Sequence, residues 1–298
     1  MPALAHENFP GKRLVIFGCG YVGGVVAREA VARGLQVTAL TRNAAKALLL
    51  REAGIEVVEA DLATDAWHAQ IAGGADFVLN SVSSGGGGTA GYRHSYVDGM
   101  ASIVRWAQAR GPAGTLVYTS STSVYPADGG ASVDESFPTG GAERPAMLVE
   151  AEDTLRRATG VCARWFILRL AGIYGPERTH LVHQVRTGEV SGRGEHHLNL
   201  AHRDDIAAAI WATFAAPPAI SDEIFNVADP TPAPKAEVVA WLAQRLGLPL
   251  PRFTGEPAAG RRAVTPDRTI SAAKLARTLG WRPRYPSYRE GYETLLSH

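Results

Sequence analysis

The stretch between Leu14 and Asn43 restricts the fold of this chain more than any other part of its sequence. Leu14–Phe17 is an uninterrupted apolar run, which is typical of a strand buried on both faces of a parallel sheet. The run leads directly into Gly18-Cys19-Gly20-Tyr21-Val22-Gly23, and apolar residues at helical spacing follow as far as Gly34. A second apolar run, Val37–Leu40, completes a strand–helix–strand unit.

The three glycines of this G-x-G-x-x-G pattern stand where the phosphates of a dinucleotide would require them. Gly18 suits a tight turn, Gly20 lets the backbone approach a pyrophosphate, and Gly23 lets the helix pack closely on the strand. The start of the helix offers free N–H groups and a positive dipole to an anion. All six residues of the loop are therefore predicted to bind a dinucleotide, and an accidental Gly-rich turn is the alternative.

The end of the second strand indicates which dinucleotide is preferred. NAD-selective folds place Asp or Glu there, because a carboxylate accepts hydrogen bonds from the ribose 2′-OH. Between Leu40 and Ala47 this chain has no acidic residue and has Arg42 instead, which suits a 2′-phosphate. We therefore expect NADP as the cofactor, with NAD as the other option. The alternative is that Arg42 is a solvated surface residue.

Composition and charge exclude several classes of protein. The 298 residues are 46% hydrophobic with a net charge of +1, which allows a large core and gives no basic footprint for nucleic acid. No apolar stretch is long enough to span a membrane. Met1–Gly11 lacks the apolar core of a secretory signal and is predicted to be a loose leader. The two cysteines, Cys19 and Cys162, form no disulfide framework, so we expect a cytoplasmic location. Cys19 is interpreted as packing under the cofactor rather than as a catalytic thiol.

Two further loops of the predicted sheet carry polar residues. Asp61-Leu62 follows a third strand over Glu56–Glu59 and can flank an adenine ring. Asp61 as the cap of a helix over Thr64–Ile71 is the alternative. Ser81 follows a fourth strand over Asp76–Asn80 and opens a glycine-rich loop. We expect this loop to lie over the middle of the cofactor, either as a mobile flap or as a flexible connection.

Hydroxyl groups cluster after a fifth strand over Thr115–Thr119. Because the carboxyl end of a central strand faces the ligand crevice, Ser121 and Thr122 are site candidates. The other predicted elements are helices over Ala44–Ala53, Tyr92–Ala109 and Pro145–Ala158, a loop over Asp128–Glu143, and strands over Trp165–Leu170 and Ile224–Val227.

Together these stretches resemble the extended short-chain dehydrogenase/reductase superfamily, especially atypical members of its NAD(P)-dependent epimerase/dehydratase group. The matching motifs are the Gly18–Gly23 loop, Ser120-Ser121-Thr122-Ser123-Val124-Tyr125, Leu168-Arg169-Leu170-Ala171-Gly172-Ile173-Tyr174-Gly175-Pro176, His202-Arg203-Asp204-Asp205-Ile206-Ala207, Phe225-Asn226-Val227-Ala228-Asp229 and Leu279-Gly280-Trp281-Arg282-Pro283. The resemblance implies an α/β Rossmann fold, a doubly wound seven-stranded parallel sheet with a smaller C-terminal substrate lobe. The nucleotide-binding domain would cover 11–174 with a return segment at about 200–229, and the lobe would cover 175–199 and 230–298.

One departure from the family pattern bears on the chemistry. The family's proton-transfer pair is Tyr-x-x-x-Lys on the helix after the fifth strand, where Lys and the nicotinamide ribose lower the pKa of Tyr. Counting back from Glu152, which matches the family's helix glutamate, the Tyr position falls at Arg144 and the Lys position at Leu148. No Tyr lies between Pro126 and Ile173, so a shifted alignment does not restore the pair.

Ser121 matches the Ser/Thr with which the family polarises its substrate, but the proton donor has to be another group. Tyr125 is the nearest phenol in sequence, although the family motif also explains it as a structural residue. Glu143, Glu150 and His94 are further options, each of which also suits a solvated or capping role.

The predicted lobe contributes polar residues to substrate binding. His180, Arg193 and Arg262 are the candidates, and Arg261-Arg262 is either a phosphate clamp or a solvated pair. His180 and His183 lack the further ligands that a metal needs, so no metal is predicted. In Arg203-Asp204-Asp205 one Asp is expected to cap a helix over Leu200–Phe214.

Two classes of function fit these features. The first is an NADP-dependent oxidoreductase or epimerase that acts on a polar, sugar-like or nucleotide-sugar substrate with a non-standard proton donor. The second is a catalytically silent NAD(P)-binding sensor. The resemblance also implies a homodimer through a four-helix bundle, with Met147, Leu148 and Leu155 either at that interface or packed on the sheet.

Overall fold

The computed structural model describes residues 9–84, 86–257 and 265–296. The chain divides into two compact units. The first comprises Met1–Val124, Thr139–Arg169 and Ile206–Phe225, and the second comprises Tyr125–Pro138, Leu170–Asp205 and Asn226–His298.

The strands, in chain order, are β1 (Arg13–Phe17), β2 (Gln36–Thr41), β3 (Glu56–Glu59), β4 (Phe77–Asn80), β5 (Ala113–Ser121), β6 (Ala131–Val133), β7 (Cys162–Leu170), β8 (Gly172–Tyr174), β9 (Glu189–Val190), β10 (His197–Leu198), β11 (Leu200–His202), β12 (Glu223–Val227), β13 (Ala233–Pro234), β14 (Arg252–Phe253) and β15 (Arg268–Ile270). The helices are α1 (Gly23–Ala32), α2 (Ala44–Glu52), α3 (Gly88–Arg93), α4 (Gly99–Arg110), α5 (Glu143–Arg157), α6 (His180–Arg186), α7 (Arg203–Phe214), α8 (Lys235–Leu246), α9 (Ala273–Leu279) and α10 (Tyr288–Leu296).

A seven-stranded sheet in the order β12-β7-β5-β4-β1-β2-β3 forms the centre of the Rossmann fold. Strand β1 pairs in parallel with both β2 and β4, so the strand order reverses between β1 and β4. Ligands of such sheets bind at this reversal, beyond the carboxyl ends of the strands. The predicted doubly wound seven-stranded parallel sheet is confirmed.

Aromatic packing gives the core of the first unit. The ring of Phe17 lies 4.9 Å from that of Trp67 and 5.6 Å from that of Trp106. The indole N–H groups donate to the carbonyl oxygens of Leu62 and Ile71, at 3.1 and 2.9 Å. The helix predicted over Thr64–Ile71 is wrong, since that segment forms successive turns. The carbonyl oxygens at its two ends, Thr64 and Ile71, accept from Ser102 Oγ and Trp106 Nε1 instead of from a helical ladder.

The single helix predicted over Tyr92–Ala109 is interrupted. Helices α3 and α4 are joined by a π-helical turn over His94–Asp98. A π-helical turn widens the helix by one residue and re-aims the side chains that it carries, and such turns are frequent at functional sites.

The second unit has a core of its own and short paired strands. Helix α8 packs with α6 and α10 through residues that include Val182, Val238 and Tyr292. Strand β6 pairs in parallel with β15, which brings part of the predicted Asp128–Glu143 loop into this unit.

The start of α7 also differs from the prediction. The predicted helix over Leu200–Phe214 begins at Arg203, because Leu200–His202 is the strand β11. The imidazole Nδ1 of His202 accepts the Asp204 N–H at 3.2 Å. Asp205 accepts the N–H groups of Arg284 and Tyr285 at 2.6 and 3.1 Å, so it anchors a C-terminal loop rather than capping its own helix.

Residues 9–11 of the predicted loose leader are packed, and residues 1–8 lie outside the described part of the chain. The ring of Phe9 lies 5.4 Å from that of Phe77 and 5.9 Å from that of Trp211. No helix among residues 9–84, 86–257 and 265–296 has the length and apolar character to cross a membrane.

Candidate cofactor site

The predicted dinucleotide loop lies between β1 and α1, and its geometry requires glycine at two positions. Gly18 has a φ of 92°, and a Cβ there would lie 2.6 Å from the backbone of Ser81. A Cβ on Gly23 would lie 2.3 Å from the carbonyl oxygen of Gly18. The Ser81 N–H donates to the Phe17 carbonyl at 2.8 Å, which holds the loop after β4 against the loop after β1.

The third glycine borders open space. A Cβ on Gly20 would meet no atom of the described chain within 4 Å. Helix α1 begins three residues later, and its N-cap Val22 makes no side-chain capping hydrogen bond. A backbone with an open side, followed by an uncapped helix N-terminus, fits a pyrophosphate.

Cys19 lies in this loop as a buried thiol. Burial raises the pKa of Cys19 to about 12, although Lys46 and Arg28 act in the opposite direction. Because the thiolate is the reactive form of cysteine, the site gives Cys19 no nucleophilic role. Tyr21 is half-buried beside it and Val22 is buried.

Arg42 and Asp61 lie together next to the ends of β2 and β3. The Arg42 guanidinium is 3.4 Å from Asp61 Oδ2, and Asp61 Oδ1 accepts the Ala63 N–H at 3.0 Å. His94 Nε2 lies 3.0 and 2.9 Å from the two carboxylate oxygens. Burial raises the pKa of Asp61, but the bonds from His94 and Ala63 and the charge of Arg42 outweigh it and hold this pKa below its usual value.

Leu62, predicted to flank an adenine together with Asp61, packs mainly into the core of the first unit. A Cβ on Gly99 would lie 3.1 Å from its Cδ2, so the glycine at the start of α4 makes room for this leucine.

Ser121 is the last residue of β5 and Thr122 begins the following turn. Ser121 is half-buried, and its Oγ accepts the Ser123 N–H at 3.1 Å, whereas Thr122 is buried. Strand β5 lies beside β4, whose carboxyl end leads into Ser81. The Ser121 hydroxyl and the glycine loop therefore belong to the same edge of one sheet.

A buried ion pair supports this edge. Ser120 Oγ donates to Glu152 Oε1 at 2.6 Å, and the Arg169 guanidinium contacts both oxygens of Glu152 at 3.1 and 2.6 Å. The side chains of Glu152 and Arg169 are 1% and 4% exposed. The network joins α5 to β5 and β7. Sequence analysis used Glu152 only as a landmark, and the signal for its role was a charged Arg169 inside the apolar run of β7.

The positions of the missing proton-transfer pair lie on α5. Leu148 is buried in the core, and Arg144 is exposed with its guanidinium 5.7 Å from the centre of the Tyr92 ring. The Tyr92 and Tyr96 rings are 4.4 Å apart, and their hydroxyls are hydrogen bonded. The Ser84 N–H donates to the Tyr96 hydroxyl at 3.4 Å. Sequence analysis missed this phenol pair, which stands one helical turn apart directly after the glycine-rich loop.

The four alternative proton donors are all engaged elsewhere. Glu150 holds Arg93 through two bonds of 3.0 and 2.7 Å, and Glu143 accepts from Thr89 Oγ1 at 3.3 Å. His94 faces Asp61. The buried Tyr125 donates its hydroxyl to Asn226 Oδ1 at 2.8 Å, which favours the structural alternative for this tyrosine.

The substrate candidates of the lobe belong to the second unit. His180 and Arg193 are exposed there, and Arg262 lies outside the described residues. His197, in the same unit, is held in place by hydrogen bonds to Asp267. Its Nδ1 and its backbone N–H both lie 2.8 Å from Asp267 Oδ1. Within the described residues, no group of three or more His, Cys, Asp or Glu side chains could hold a metal.

Met147, Leu148 and Leu155, proposed for a dimer interface or for packing on the sheet, are buried inside the chain. Leu155 is part of the core of the first unit. The outward face of α5 is instead polar, with Glu143, Arg144 and Glu150 exposed.

An open glycine loop at the reversal of a parallel sheet, followed by a helix N-terminus, defines a dinucleotide-binding Rossmann protein. The NAD(P)H-binding family model matches residues 18–217, and the chain belongs to this family. The resemblance to the short-chain dehydrogenase/reductase superfamily and its epimerase/dehydratase group is confirmed.

Similar proteins cover nearly the whole chain. It is 29% identical over 283 residues to protein YeeZ of Escherichia coli K12, covering 92% of this chain and 97% of YeeZ. It is 28% identical over 258 residues to the 2-alkyl-3-oxoalkanoate reductase of Stenotrophomonas maltophilia K279a, and the match covers 80% of this chain and 76% of that reductase. A solved structure from Methylobacillus flagellatus, proposed to be an NAD-dependent epimerase/dehydratase, is 26% identical to this chain with a TM-score of 0.73. The match covers 96% of this chain and 98% of that one.

Proposed function

We propose that this protein is an NADP-dependent oxidoreductase or epimerase/dehydratase-like enzyme acting on a polar, sugar-like or nucleotide-sugar substrate. The observation that supports it most is the pairing of the open glycine loop with Ser121 at one edge of the sheet.

The residues of the first unit fit NADP. The Gly18–Gly23 loop would hold the pyrophosphate, Arg42 the 2′-phosphate, and Asp61 the adenine, with Ser81 lining the loop after β4. When bound, the nicotinamide of this cofactor gives or accepts a hydride. Ser121 Oγ would donate a hydrogen bond to the reacting carbonyl oxygen and so stabilise the charge that develops there.

Tyr96 is our candidate for the missing proton donor. Like any tyrosine, Tyr96 is protonated at neutral pH. Burial raises its pKa, which makes loss of the proton harder, while its hydrogen bonds to Ser84 and Tyr92 lower the pKa and favour the transfer. Its oxygen lies at the loop that follows β4, next to the strand that carries Ser121. Tyr96 would transfer its hydroxyl proton to the substrate oxygen, and the hydrogen-bonded Tyr92 would stabilise the phenolate.

Two alternatives have an observation in their favour. The name of the Stenotrophomonas reductase favours a 3-oxo acid as the substrate class. A catalytically silent NAD(P)-binding sensor is favoured by the buried, uncharged Leu148 at the expected lysine position. A homodimer and a cytoplasmic location stay predictions.

Steady-state turnover tests the proposal. The protein would be incubated with NADP⁺ and a panel of UDP-hexoses, with substrate loss and product followed by chromatography as well as at 340 nm, because an epimerase or dehydratase returns the hydride and leaves the absorbance unchanged. With NADPH and 2-alkyl-3-oxo acids, the absorbance at 340 nm follows the reaction directly. We expect turnover of one class, with kcat lowered on the order of a hundredfold in Ser121→Ala and in Tyr96→Phe. Ser123→Ala is the control, because Ser123 contacts Ser121 through its backbone N–H alone.

Saturable NADPH binding without turnover of any panel member would support the sensor. Full activity of Tyr96→Phe in a protein that loses activity in Ser121→Ala would remove only the assignment of the proton donor.

A further inference from the structure

The Arg42 guanidinium, which the proposed function assigns to the 2′-phosphate, is not free to act alone. Asp61 Oδ2 lies 3.4 Å from Arg42 Nη1, and its negative charge opposes the binding of a second anion at this place. An acidic partner next to the phosphate-binding arginine therefore weakens the NADP preference, unless another positive charge offsets it.

His94 is the group that can offset this charge. Its Nε2 lies 3.0 and 2.9 Å from the two oxygens of Asp61. The π-helical turn over His94–Asp98 carries it, so a widened helical turn aims an imidazole at the carboxylate that also faces Arg42. A histidine side chain gains and loses its charge between pH 5 and 8, unlike any other partner of Asp61 here.

We propose that His94 sets the preference for NADP over NAD in a pH-dependent way. Protonated His94 neutralises Asp61, which leaves Arg42 available to a 2′-phosphate. Neutral His94 leaves Asp61 paired with Arg42, and the preference falls. The proposal rests on the proposed NADP function and makes His94 a specificity-determining residue, not a proton donor.

The charged groups around His94 come from three parts of the chain. Asp61 faces its Nε2 from the loop after β3, and Arg42 reaches the same carboxylate from the end of β2. On its own turn, Asp98 Oδ2 lies 3.9 Å from its Nδ1. Two carboxylates therefore lie within 3.9 Å of the imidazole.

The test is the ratio of the dissociation constants of NAD and NADP, measured by calorimetry on the full chain from pH 6 to pH 8. Both dinucleotides share the adenine and the pyrophosphate, so the ratio isolates the 2′-group. His94→Gln keeps a hydrogen-bond donor for Asp61 and has no charge to gain. The 2′-phosphate of free NADP also titrates near pH 6, which is common to both measurements. The informative quantity is therefore the NAD-to-NADP ratio of dissociation constants for wild type divided by the same ratio for His94→Gln.

We expect this quotient to be close to one at pH 8 and to rise to about five at pH 6, the size that partly exposed charge pairs give. In an Arg42→Ala background, His94→Gln should change the ratio much less. His68→Gln is the matched control, since His68 faces Asp65 and Ser102 and should follow the wild type.

Superimposable pH profiles of wild type and His94→Gln, with NADP still bound, would overturn the role of His94 and leave the proposed function standing. Failure of both dinucleotides to bind the folded wild type would overturn both. An unchanged effect of His94→Gln in the Arg42→Ala background would overturn the proposed route through Arg42.

Discussion

Asp229 is a buried carboxylate whose surroundings disfavour its negative charge. Asp229, in the second unit, is 4% exposed and accepts the Thr231 N–H at 3.1 Å. Burial raises the pKa of Asp229 to about 7, the charges of Asp205 and Glu290 add to the increase, and the Thr231 bond acts against it. A carboxyl group that prefers to stay protonated in the folded state destabilises that state once the pH forces it to ionise.

Asp229→Asn should therefore stabilise the protein at alkaline pH. The folded pKa lies above the unfolded one, so stability falls as the pH rises from about 4 to about 7 and stays low above that. We expect the variant to gain roughly 4 kcal/mol over wild type in free energy of unfolding at pH 8, and little at pH 4. Urea unfolding at both pH values measures this gain.

Asp134→Asn is the control for this prediction. Hydrogen bonds from Ser136 hold the pKa of Asp134 below its usual value, so removing its charge should give no gain at pH 8. Equal stability of Asp229→Asn and wild type at pH 8 would contradict the account of Asp229.

At the scale of elements, α5 is held to the sheet by the Glu152–Arg169 ion pair. Glu152→Ala removes the carboxylate that faces a buried guanidinium, and we expect a loss of about 3–5 kcal/mol in the free energy of unfolding. Glu150→Ala is the matched control on the same helix, because the Glu150–Arg93 pair is exposed and should contribute little. Chemical denaturation compares the two variants, and equal losses would contradict the assigned role of the buried pair.

The elements that the sequence predicted well are those whose pattern is local. The apolar runs at Leu14–Phe17 and Val37–Leu40 and the glycine loop between them lie in the structure as β1, β2 and the turn before α1. The sequence pattern failed to predict the structure at Thr64–Ile71. There the backbone is bonded by Ser102 and Trp106, which belong to α4 and are distant in sequence. The pattern also failed at Ala131–Val133, whose partner β15 is more than a hundred residues away in the chain.

For the candidate site, the sequence predicted the glycine loop but not the long-range contacts of its side chains. Gly18, Gly20 and Gly23 were predicted from their spacing. The close approach of Ser81 to Gly18, which joins two loops distant in sequence, was not. The contacts of His94 with Asp61 and of Tyr96 with Ser84 depend on a π-helical turn and on the approach of two loops. No periodicity in the sequence predicts these two contacts, so His94 and Tyr96 were identified as neighbours of Asp61 and Ser84 only from the structure.

The whole molecule is an NAD(P)H-binding family protein made of two compact units. The first carries the glycine loop and Arg42, and the second has a core of its own. The family membership follows from the match over residues 18–217, while the NADP preference is our proposal and rests on the charge of Arg42.

Calorimetric titration of NADPH and NADH into the full chain and into Arg42→Ala tests the central claim most directly. The account predicts that wild type binds NADPH at least about tenfold more tightly than NADH, as one charge-assisted contact to a 2′-phosphate would give. Arg42→Ala should keep its affinity for NADH and lose the preference. Equal affinities of wild type for the two dinucleotides, or no binding of either, would contradict it.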